Sequence, residues 1–188
     1  MSNERNDQAR KQDLRKKFLK QRSEFSHQKH DSKICEHLLQ LLKATNGVWG
    51  GYVNTSTEPN LSTVYKEAKH IKWAFPKVVG DDLQFLVPKN AANFVKSELG
   101  INEPSEISQA VAPNELTGIL VPGVAFDSRG YRLGRGKAFY DRYLKDCSSR
   151  LIGVGYSVQL SQDDLPFEAH DVKMNVIVTD KEVLKIPA

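Results

Sequence analysis

Apolar residues recur at helical spacing in two segments near the start of the chain. Leu14 and Phe18 lie on a stripe that predicts a first helix over residues 8–26, whose other faces are basic. A second stripe, which begins at Ile34, predicts a helix over residues 31–44. We therefore expect the chain to open with two amphipathic helices.

Short apolar runs follow, and they alternate with amphipathic segments. The runs predict strands over residues 48–53, 71–79, 83–87, 119–121, 151–158 and 176–178. The segments predict helices over residues 61–70 and 89–99, an irregular connection over 102–113, and a further helix from Phe139. Such alternation favours an α/β three-layer sandwich, in which helices cover a mainly parallel sheet.

Length and composition fit a globular protein. The 188 residues, of which 39% are hydrophobic and 27% charged, suit a single domain over 1–188, with about residues 1–8 disordered. No apolar stretch approaches the roughly 20 residues of a membrane helix, and the polar N-terminus carries no export signal. Cys35 and Cys147 are isolated, without the spacing of zinc ligands. We expect a cytoplasmic monomer with reduced thiols.

Positive charge is concentrated in the first predicted helix. The net charge is +4, and residues 9–22 hold seven Lys or Arg against one Asp. This pattern favours an anionic partner, such as a nucleotide, a polyglutamate-like substrate or a nucleic acid. Lys11, Arg15 and Arg22 are spaced to share one side of the helix, where they would face one ligand. A solvated basic face is the alternative.

A glycine-rich basic segment, residues 132–137, lies between the strand over 119–121 and the helix from Phe139. We call it the glycine loop; its sequence is Arg-Leu-Gly-Arg-Gly-Lys. Gly134 and Gly136 let the backbone approach a ligand closely, and the helix that follows directs free N–H groups toward the same place. With three cations added, the segment predicts an anion cradle. A surface turn with solvated cations is the alternative.

The glycine loop is not one of the familiar phosphate-binding motifs. A Walker loop requires glycine at the position of Tyr131 and Ser or Thr at that of Ala138. A dinucleotide fingerprint that starts at Gly134 requires a small residue where Phe139 stands.

Three loops are predicted to meet at one cleft. In a parallel sheet, ligands bind beyond the carboxyl ends of the strands. The glycine loop, the turn that holds Glu58 and the segment over residues 166–171 all follow predicted strands.

Residues 132–141, Arg-Leu-Gly-Arg-Gly-Lys-Ala-Phe-Tyr-Asp, are similar to the hallmark of the 5-formyltetrahydrofolate cyclo-ligase family, also called methenyltetrahydrofolate synthetases. Weaker matches follow the family's order along nearly the whole chain: Lys11 with Arg15, Tyr52 with Glu58, Phe75-Pro76, Glu103-Pro104, residues 152–156, Gln159, Leu165-Pro166, His170-Asp171 and Val178-Thr179. The resemblance implies a compact α/β sandwich related to the sugar-phosphate isomerase and coenzyme A transferase group.

The resemblance also implies a reaction. The family converts 5-formyltetrahydrofolate to 5,10-methenyltetrahydrofolate while it hydrolyses ATP to ADP and phosphate, with Mg²⁺. The γ-phosphoryl group is held to move to the formyl oxygen, after which N10 attacks, the ring closes and phosphate leaves. The implied partners are ATP and 5-formyltetrahydrofolate, with or without a polyglutamate tail; no membrane and no nucleic acid is expected.

The resemblance also assigns site residues to positions of this chain that match the family's motifs. The resemblance assigns ATP to Lys11, Arg15, Arg132, Leu133, Gly134, Arg135, Gly136, Lys137, Ala138, Phe139 and Tyr140. It assigns the folate substrate to Val53, Glu58, Arg135, Gly136, Lys137, Ala138 and Phe139. Arg135 and Lys137 are the implied catalytic cations, and Asp141 and Asp171 the implied magnesium ligands. A helix-cap or ion-pair role is the alternative for either Asp.

The chain departs from the family pattern at three positions. Ala138 stands where the family mostly has glycine, Phe139 replaces a frequent tyrosine, and Asn175 sits where an acidic residue is often found. For His170, beside Asp171, we expect a positioning or structural role.

Two competing functions remain at this point. One is a nucleotide- or RNA-binding protein on the same fold without folate turnover, in which the basic helix would contact phosphates. The other is a sugar-phosphate enzyme, which rests on fold analogy alone.

Overall fold

The computed structural model describes residues 2–25, 27–89, 94–96, 100, 102–105, 108–168 and 171–187. The elements in chain order are α1 (Ser2–Glu24), α2 (His27–Leu42), β1 (Val48–Gly50), α3 (Ser62–Glu67), β2 (Lys72–Val79), β3 (Asp82–Val87), β4 (Phe94–Lys96), β5 (Asn102–Pro104), β6 (Gln109–Val111), β7 (Leu116–Pro122), β8 (Ala125–Asp127), β9 (Arg132–Leu133), α4 (Phe139–Leu144), β10 (Arg150–Val154), β11 (Leu160–Ser161), β12 (Val176–Val178) and β13 (Val183–Lys185).

A mainly parallel sheet organises the molecule. Its eight strands lie in the order β13-β12-β10-β7-β1-β2-β3-β6. The five from β12 to β2 are parallel to their neighbours, whereas β13, β3 and β6 pair antiparallel at the edges. Strands β11, β8 and β9 form a small separate sheet, and β4 pairs with β5. The predicted α/β class is thus confirmed.

Both faces of the large sheet are covered, as alternation along β7 illustrates. Leu120 belongs to the buried cluster that contains residues of α2 and α3. Ile119 and Val121 belong to the cluster on the opposite face, which contains Leu144 of α4. Because successive strand residues point to opposite faces, one apolar run supplies both cores.

Helix α1 lies beside the end of β7 that carries the loops. Its buried Phe18 packs with Val124, Leu133 and Leu165, and Leu14 packs against the same cluster. The basic helix is therefore fixed next to the glycine loop. The prediction that about residues 1–8 are disordered stays a prediction; the helix begins at Ser2.

The predicted helix over residues 89–99 is wrong where the chain is described. Phe94–Lys96 is a strand that pairs antiparallel with Asn102–Pro104. The ring of Phe94 packs edge-on against Phe75, with 5.3 Å between centroids. This long-range contact favours an extended backbone that the local pattern does not indicate. The rest of the predicted helix lies outside the described residues, apart from Lys89.

Other predicted elements are present but differ in extent. The connection over 102–113 contains β5 and β6, the strand over 151–158 ends at Val154, and the helix over 61–70 contracts to Ser62–Glu67. Within the described part of the chain, no helix has the length and apolar character that crossing a bilayer requires.

Candidate functional site

Two pockets lie on either side of the glycine loop. One, of about 420 Å³, has mainly apolar walls, and we call it the apolar pocket. The other, of about 530 Å³, is lined chiefly by charged and amide side chains, and we call it the basic pocket. Both contain Arg132, Gly134, Arg135, Ala138 and Asp141, so the loop is a shared wall.

The apolar pocket opens beyond the carboxyl ends of β1 and β7 and contains two of the three loops that are predicted to meet at one cleft. The third loop does not reach it, because its described residues Glu168 and Asp171 line the basic pocket instead. Tyr52, Val53 and Glu58 come from the loop after β1, and Pro122 ends β7. Its volume lies within the range of pockets for small organic ligands. Six of the seven predicted substrate residues line it: Val53, Glu58, Arg135, Lys137, Ala138 and Phe139. The seventh, Gly136, lines only the basic pocket.

Glu58 is the buried acidic group of the apolar pocket. Its side chain is 8% exposed, and its Oε1 lies 2.9 Å from an Nη atom of Arg135. Its Oε2 accepts a hydrogen bond from the backbone N–H of Thr55 at 2.9 Å, which closes the turn on itself. Thr55 Oγ1 accepts a second bond from Arg135, also at 2.9 Å. The turn and the glycine loop are therefore joined by a charged pair.

The basic pocket receives two cations from α1. Lys11 Nζ lies 2.7 Å from Glu168 Oε1 and 3.4 Å from Asp171 Oδ2. One turn later, Arg15 Nε donates to the carbonyl oxygen of Gly134 at 2.9 Å. These contacts hold the helix against the glycine loop and the segment before Asp171, so three parts of the chain form one pocket.

The third cation of the predicted set, Arg22, does not face the basic pocket. It is 1% exposed and lies against the Glu58 turn, with 3.8 Å between Nη1 and Glu58 Oε1. The prediction that it faces one ligand together with Lys11 and Arg15 is therefore wrong. Seven residues separate Arg22 from Arg15, which is about 10 Å along the helix axis, so Arg22 reaches a different part of the fold.

Both predicted magnesium ligands line the basic pocket. Asp141 forms an ion pair with Arg132, which is 5% exposed. Asp171 Oδ2 accepts a hydrogen bond from the backbone N–H of Glu168 at 2.8 Å. No group of three or more His, Cys, Asp or Glu side chains suited to a metal occurs among the described residues. His170 lies outside them.

The predicted ATP residues divide between the two pockets. Lys11, Arg15, Leu133 and Gly136 line the basic pocket only, whereas Lys137, Phe139 and Tyr140 line the apolar pocket. The remaining four, Arg132, Gly134, Arg135 and Ala138, line both.

The backbone of the glycine loop is held in unusual conformations. Gly136 has φ 97°, and Ala138 has φ 54°, the left-handed region that favours glycine. An added Cβ at Gly136 would lie 3.6 Å from the guanidinium carbon of Arg15. The helix that follows, α4, has only six residues, so its dipole is that of a few peptide units.

Two tyrosines give the apolar pocket neutral hydroxyl groups. Burial raises the pKa of Tyr52 and of Tyr140 well above the usual value, so both stay protonated. The Tyr52 hydroxyl donates to the Pro59 carbonyl at 3.2 Å. The buried Tyr140 hydroxyl has no hydrogen-bond partner among the residues described.

Sequence reasoning missed several lining residues. Gln8 and Gln12 line the basic pocket from α1, and their spacing from Lys11 and Arg15 was the available signal. Glu168 lines it too; it lies in the segment 166–171 that the sequence predicts at the cleft, but it is not among the predicted site residues. Other missed residues belong to the apolar pocket: Tyr52, Thr55, Pro76, Val78, Leu83, Asn102, Glu103, Pro122, Gly123 and Val124.

Comparison with known proteins identifies the family. The model of the 5-formyltetrahydrofolate cyclo-ligase family matches residues 7–180. A 5-formyltetrahydrofolate cyclo-ligase of Escherichia coli is 31% identical over 133 residues, which cover 68% of this chain and 72% of the bacterial protein.

Two solved structures resemble the whole fold. The 5,10-methenyltetrahydrofolate synthetase of Aquifex aeolicus superposes with a TM-score of 0.84 at 35% identity, covering 95% of this chain and 93% of the other. The synthetase of Mycoplasma pneumoniae gives 0.74 at 26% identity, covering 90% and 98%. The residues that the family model matches, 7–180, include the glycine loop, both pockets and the turn of Glu58. The chain therefore belongs to the 5-formyltetrahydrofolate cyclo-ligase family.

Proposed function

We propose that the protein is an ATP-dependent 5-formyltetrahydrofolate cyclo-ligase whose two substrates bind on opposite sides of the glycine loop. The observation that carries the proposal is the shared wall between a basic and an apolar pocket. A reaction between a polyphosphate and a largely apolar heterocycle needs one charged and one apolar pocket that adjoin where the two substrates react. Family membership supplies the identity of the substrates.

The basic pocket suits the nucleotide. Lys11, Arg15, Arg132 and Arg135 all line it, and they would stabilise the negative charge of the phosphates. Ion pairs and a carbonyl contact already hold Lys11, Arg15 and Arg132, so these three side chains have little entropy left to lose when the nucleotide binds.

The apolar pocket suits the folate. Its apolar walls would cover the pterin ring, and the Glu58 carboxylate would accept hydrogen bonds from the donor edge of the pterin. The unpartnered hydroxyl of Tyr140 supplies a further polar contact on the same wall.

The chemistry requires activation of a poor electrophile. The formyl oxygen attacks the γ-phosphorus, a new P–O bond forms, and the bond to ADP breaks. N10 then attacks the activated formyl carbon and loses its proton, and phosphate departs with the original formyl oxygen. Such catalysis consists largely of positioning and charge stabilisation. Arg135 lines both pockets and Lys137 the apolar one, so both are placed to balance charge on the transferred group.

Magnesium fits the carboxylates present. Two hard oxygen donors, Asp141 and Asp171, face the basic pocket, and Mg²⁺ usually takes one or two carboxylates together with phosphate oxygens and waters. When bound, the ion would neutralise phosphate charge. Asp141 also holds Arg132 in the shared wall, which keeps that guanidinium directed at the nucleotide.

Replacing Asp141 tests the magnesium assignment. Asp141→Asn removes one anionic ligand, so we expect half-maximal turnover to require more Mg²⁺. A magnesium titration of the rate measures this, with Asp146→Asn, an exposed carboxylate after α4, as the matched control. An unchanged titration for Asp141→Asn would assign that carboxylate to its ion pair with Arg132 alone.

The reaction itself is tested by ultraviolet absorbance. Purified protein mixed with 5-formyltetrahydrofolate, Mg²⁺ and ATP should produce the band of methenyltetrahydrofolate, and no band should grow without ATP. A folded protein that binds ATP and gives no band would contradict the proposal. The reported relatives give no support to the alternative of an RNA-binding protein without turnover. Monomeric state, cytoplasmic location and use of polyglutamylated folate remain predictions.

A further inference from the structure

Arg22 is a buried cation that the proposed reaction leaves without a role. It lies in the last turn of α1, and its side chain is 1% exposed. Nη2 donates to Thr57 Oγ1 at 2.9 Å, and Nη1 donates to the Gly123 carbonyl at 3.2 Å. It therefore ties the turn that carries Glu58 to the chain just beyond β7.

Burying the Arg22 guanidinium costs free energy. Burial lowers its pKa, an effect that the negative charge of Glu58 opposes. Its buried Nε has no hydrogen-bond partner in the described part of the chain. Burial of this charged group costs free energy, so a gain in stability does not explain its presence. Its position beside the Glu58 carboxylate explains it better.

Glu58 lies between two cations that differ in freedom. Arg135 is the nearer at 2.9 Å, but its side chain is 48% exposed and it stands in the wall shared with the basic pocket. Arg22 is farther, at 3.8 Å, and is enclosed on all sides. Only Arg135 can turn toward a nucleotide, because only its guanidinium borders the basic pocket.

We infer that Arg22 is a positioning residue that holds the Glu58 carboxylate for the folate when Arg135 turns to the phosphates. Without Arg22, the Glu58 carboxylate, which is 8% exposed, would have no cation beside it once Arg135 has turned to ATP. With it, Glu58 stays charged and oriented while both substrates are present. The inference rests on the proposed function, since it takes Glu58 as the folate contact and Arg135 as a phosphate contact.

The test compares folate affinity in two states of the enzyme. The dissociation constant of 5-formyltetrahydrofolate is measured by calorimetry without nucleotide and then with Mg²⁺ and a saturating non-hydrolysable ATP analogue. For Arg22→Met we expect at least about a tenfold greater loss of affinity with the analogue than without it. Arg22→Lys, which keeps the charge, should recover most of that difference. Lys20→Met, which removes an exposed cation from the same helix, should bind as the wild type in both states.

Equal weakening in both states would overturn the inference, because a purely structural role does not depend on the position of Arg135. Unchanged binding in both states would overturn it as well. If Arg22→Met does not fold, as judged by circular dichroism, the comparison is made with Arg22→Gln and Arg22→Lys. The variant Glu58→Gln separates this inference from the proposed function. Wild-type folate binding in Glu58→Gln would contradict the folate role of Glu58, which belongs to the proposed function. Weak folate binding in Glu58→Gln together with wild-type binding in Arg22→Met would contradict the role of Arg22 alone.

Discussion

At the scale of single residues, the cations of the site are held by protein groups before any substrate arrives. Arg15 is bonded to the Gly134 carbonyl and Arg132 to Asp141, both in the wall of the basic pocket. Preorganised charge stabilises a transition state without further reorganisation. Loss of one such cation should therefore lower the rate more than it lowers stability.

Arg135→Ala and Lys137→Ala should each reduce kcat by about 100-fold or more, because each removes positive charge from the wall where we propose that the phosphoryl group moves. Steady-state kinetics measure the rate, and thermal unfolding shows whether the variants fold. Arg150→Ala, an exposed cation at the opposite end of the sheet, is the matched control. Near-normal turnover in both variants would contradict the role of the glycine loop.

Ala138→Gly should raise the free energy of unfolding, by up to about 1 kcal/mol. The left-handed backbone at position 138 is strained for a residue with a Cβ, and glycine relieves that strain. The greater conformational freedom of glycine in the unfolded chain offsets part of the gain. Urea denaturation measures the change. Ala112→Gly, in an extended backbone, should instead destabilise, and the same sign of change at both positions would contradict the explanation.

The sequence predicts which residues line the two pockets better than it predicts the partners of those residues. The glycines and cations of the loop lie next to one another in the chain, so their shared role is visible from the motif. The pairing of Glu58 with Arg135, or of Lys11 with Glu168, joins residues far apart and depends on how α1 packs. The assignment of Lys137 to the apolar side depends on the turn at Ala138, which no periodicity describes.

At the scale of elements, a large side chain on one strand can require a glycine on the neighbouring strand. Gly118 of β7 lies opposite Trp49 of β1 in the parallel register. Trp49 is 1% exposed and covers the position where a side chain at 118 would stand. The glycine leaves room for the Trp49 ring, which belongs to the same buried cluster as residues of α2.

Gly118→Ala should destabilise the fold by about 1–3 kcal/mol, because the new Cβ would lie 2.4 Å from the Trp49 ring and the core is too densely packed to yield. The midpoint of urea unfolding measures this. Gly80→Asn provides the control, since nothing lies within 4 Å of its Cβ position and Asn tolerates its φ of 60°. A wild-type midpoint for Gly118→Ala would show that Trp49 can move away.

Elements with strong local patterns are predictable, and those made by distant contacts are not. The strands of the sheet centre are continuous apolar runs, so their presence follows from the sequence. Strand β4 carries no such pattern, since only Phe94 is partly buried among its three residues. It is extended because it pairs with β5 and contacts Phe75.

At the scale of the whole molecule, the first helix and the segment after β11 are linked directly. Lys11 contacts Glu168 and Asp171, more than 150 residues later in the chain. The basic pocket therefore exists only when the two ends of the sequence have come together. Folding of the complete chain, rather than of a fragment, is required for nucleotide binding.

The free energy of unfolding should fall as the pH rises from about 9 to about 11. Burial raises the pKa of the Cys35 and Cys147 thiols from 9.0 to about 11, and it also raises the pKa of buried tyrosines. Below pH 9 both states keep the thiol protons, whereas above it the unfolded chain loses protons that the folded chain retains. Stability present at neutral pH is thus lost in alkali.

Melting temperatures between pH 7.5 and 10.5 measure this decline. The double variant Cys35→Ala/Cys147→Ala should show a smaller decrease, because two of the responsible groups are absent. A stability that stays constant over this range, or that rises with pH, would contradict the assignment.

The shared wall of the two pockets also bears on inhibitor design. Because one loop contacts both compartments, a single compound that joins a pterin-like head to a phosphonate chain would find both partners within one linker length of each other. Its second half would bind at the high effective concentration that tethering provides. Under the proposed assignment of the two pockets, selectivity would follow as well, since a protein that binds only a nucleotide would hold only one half of the compound.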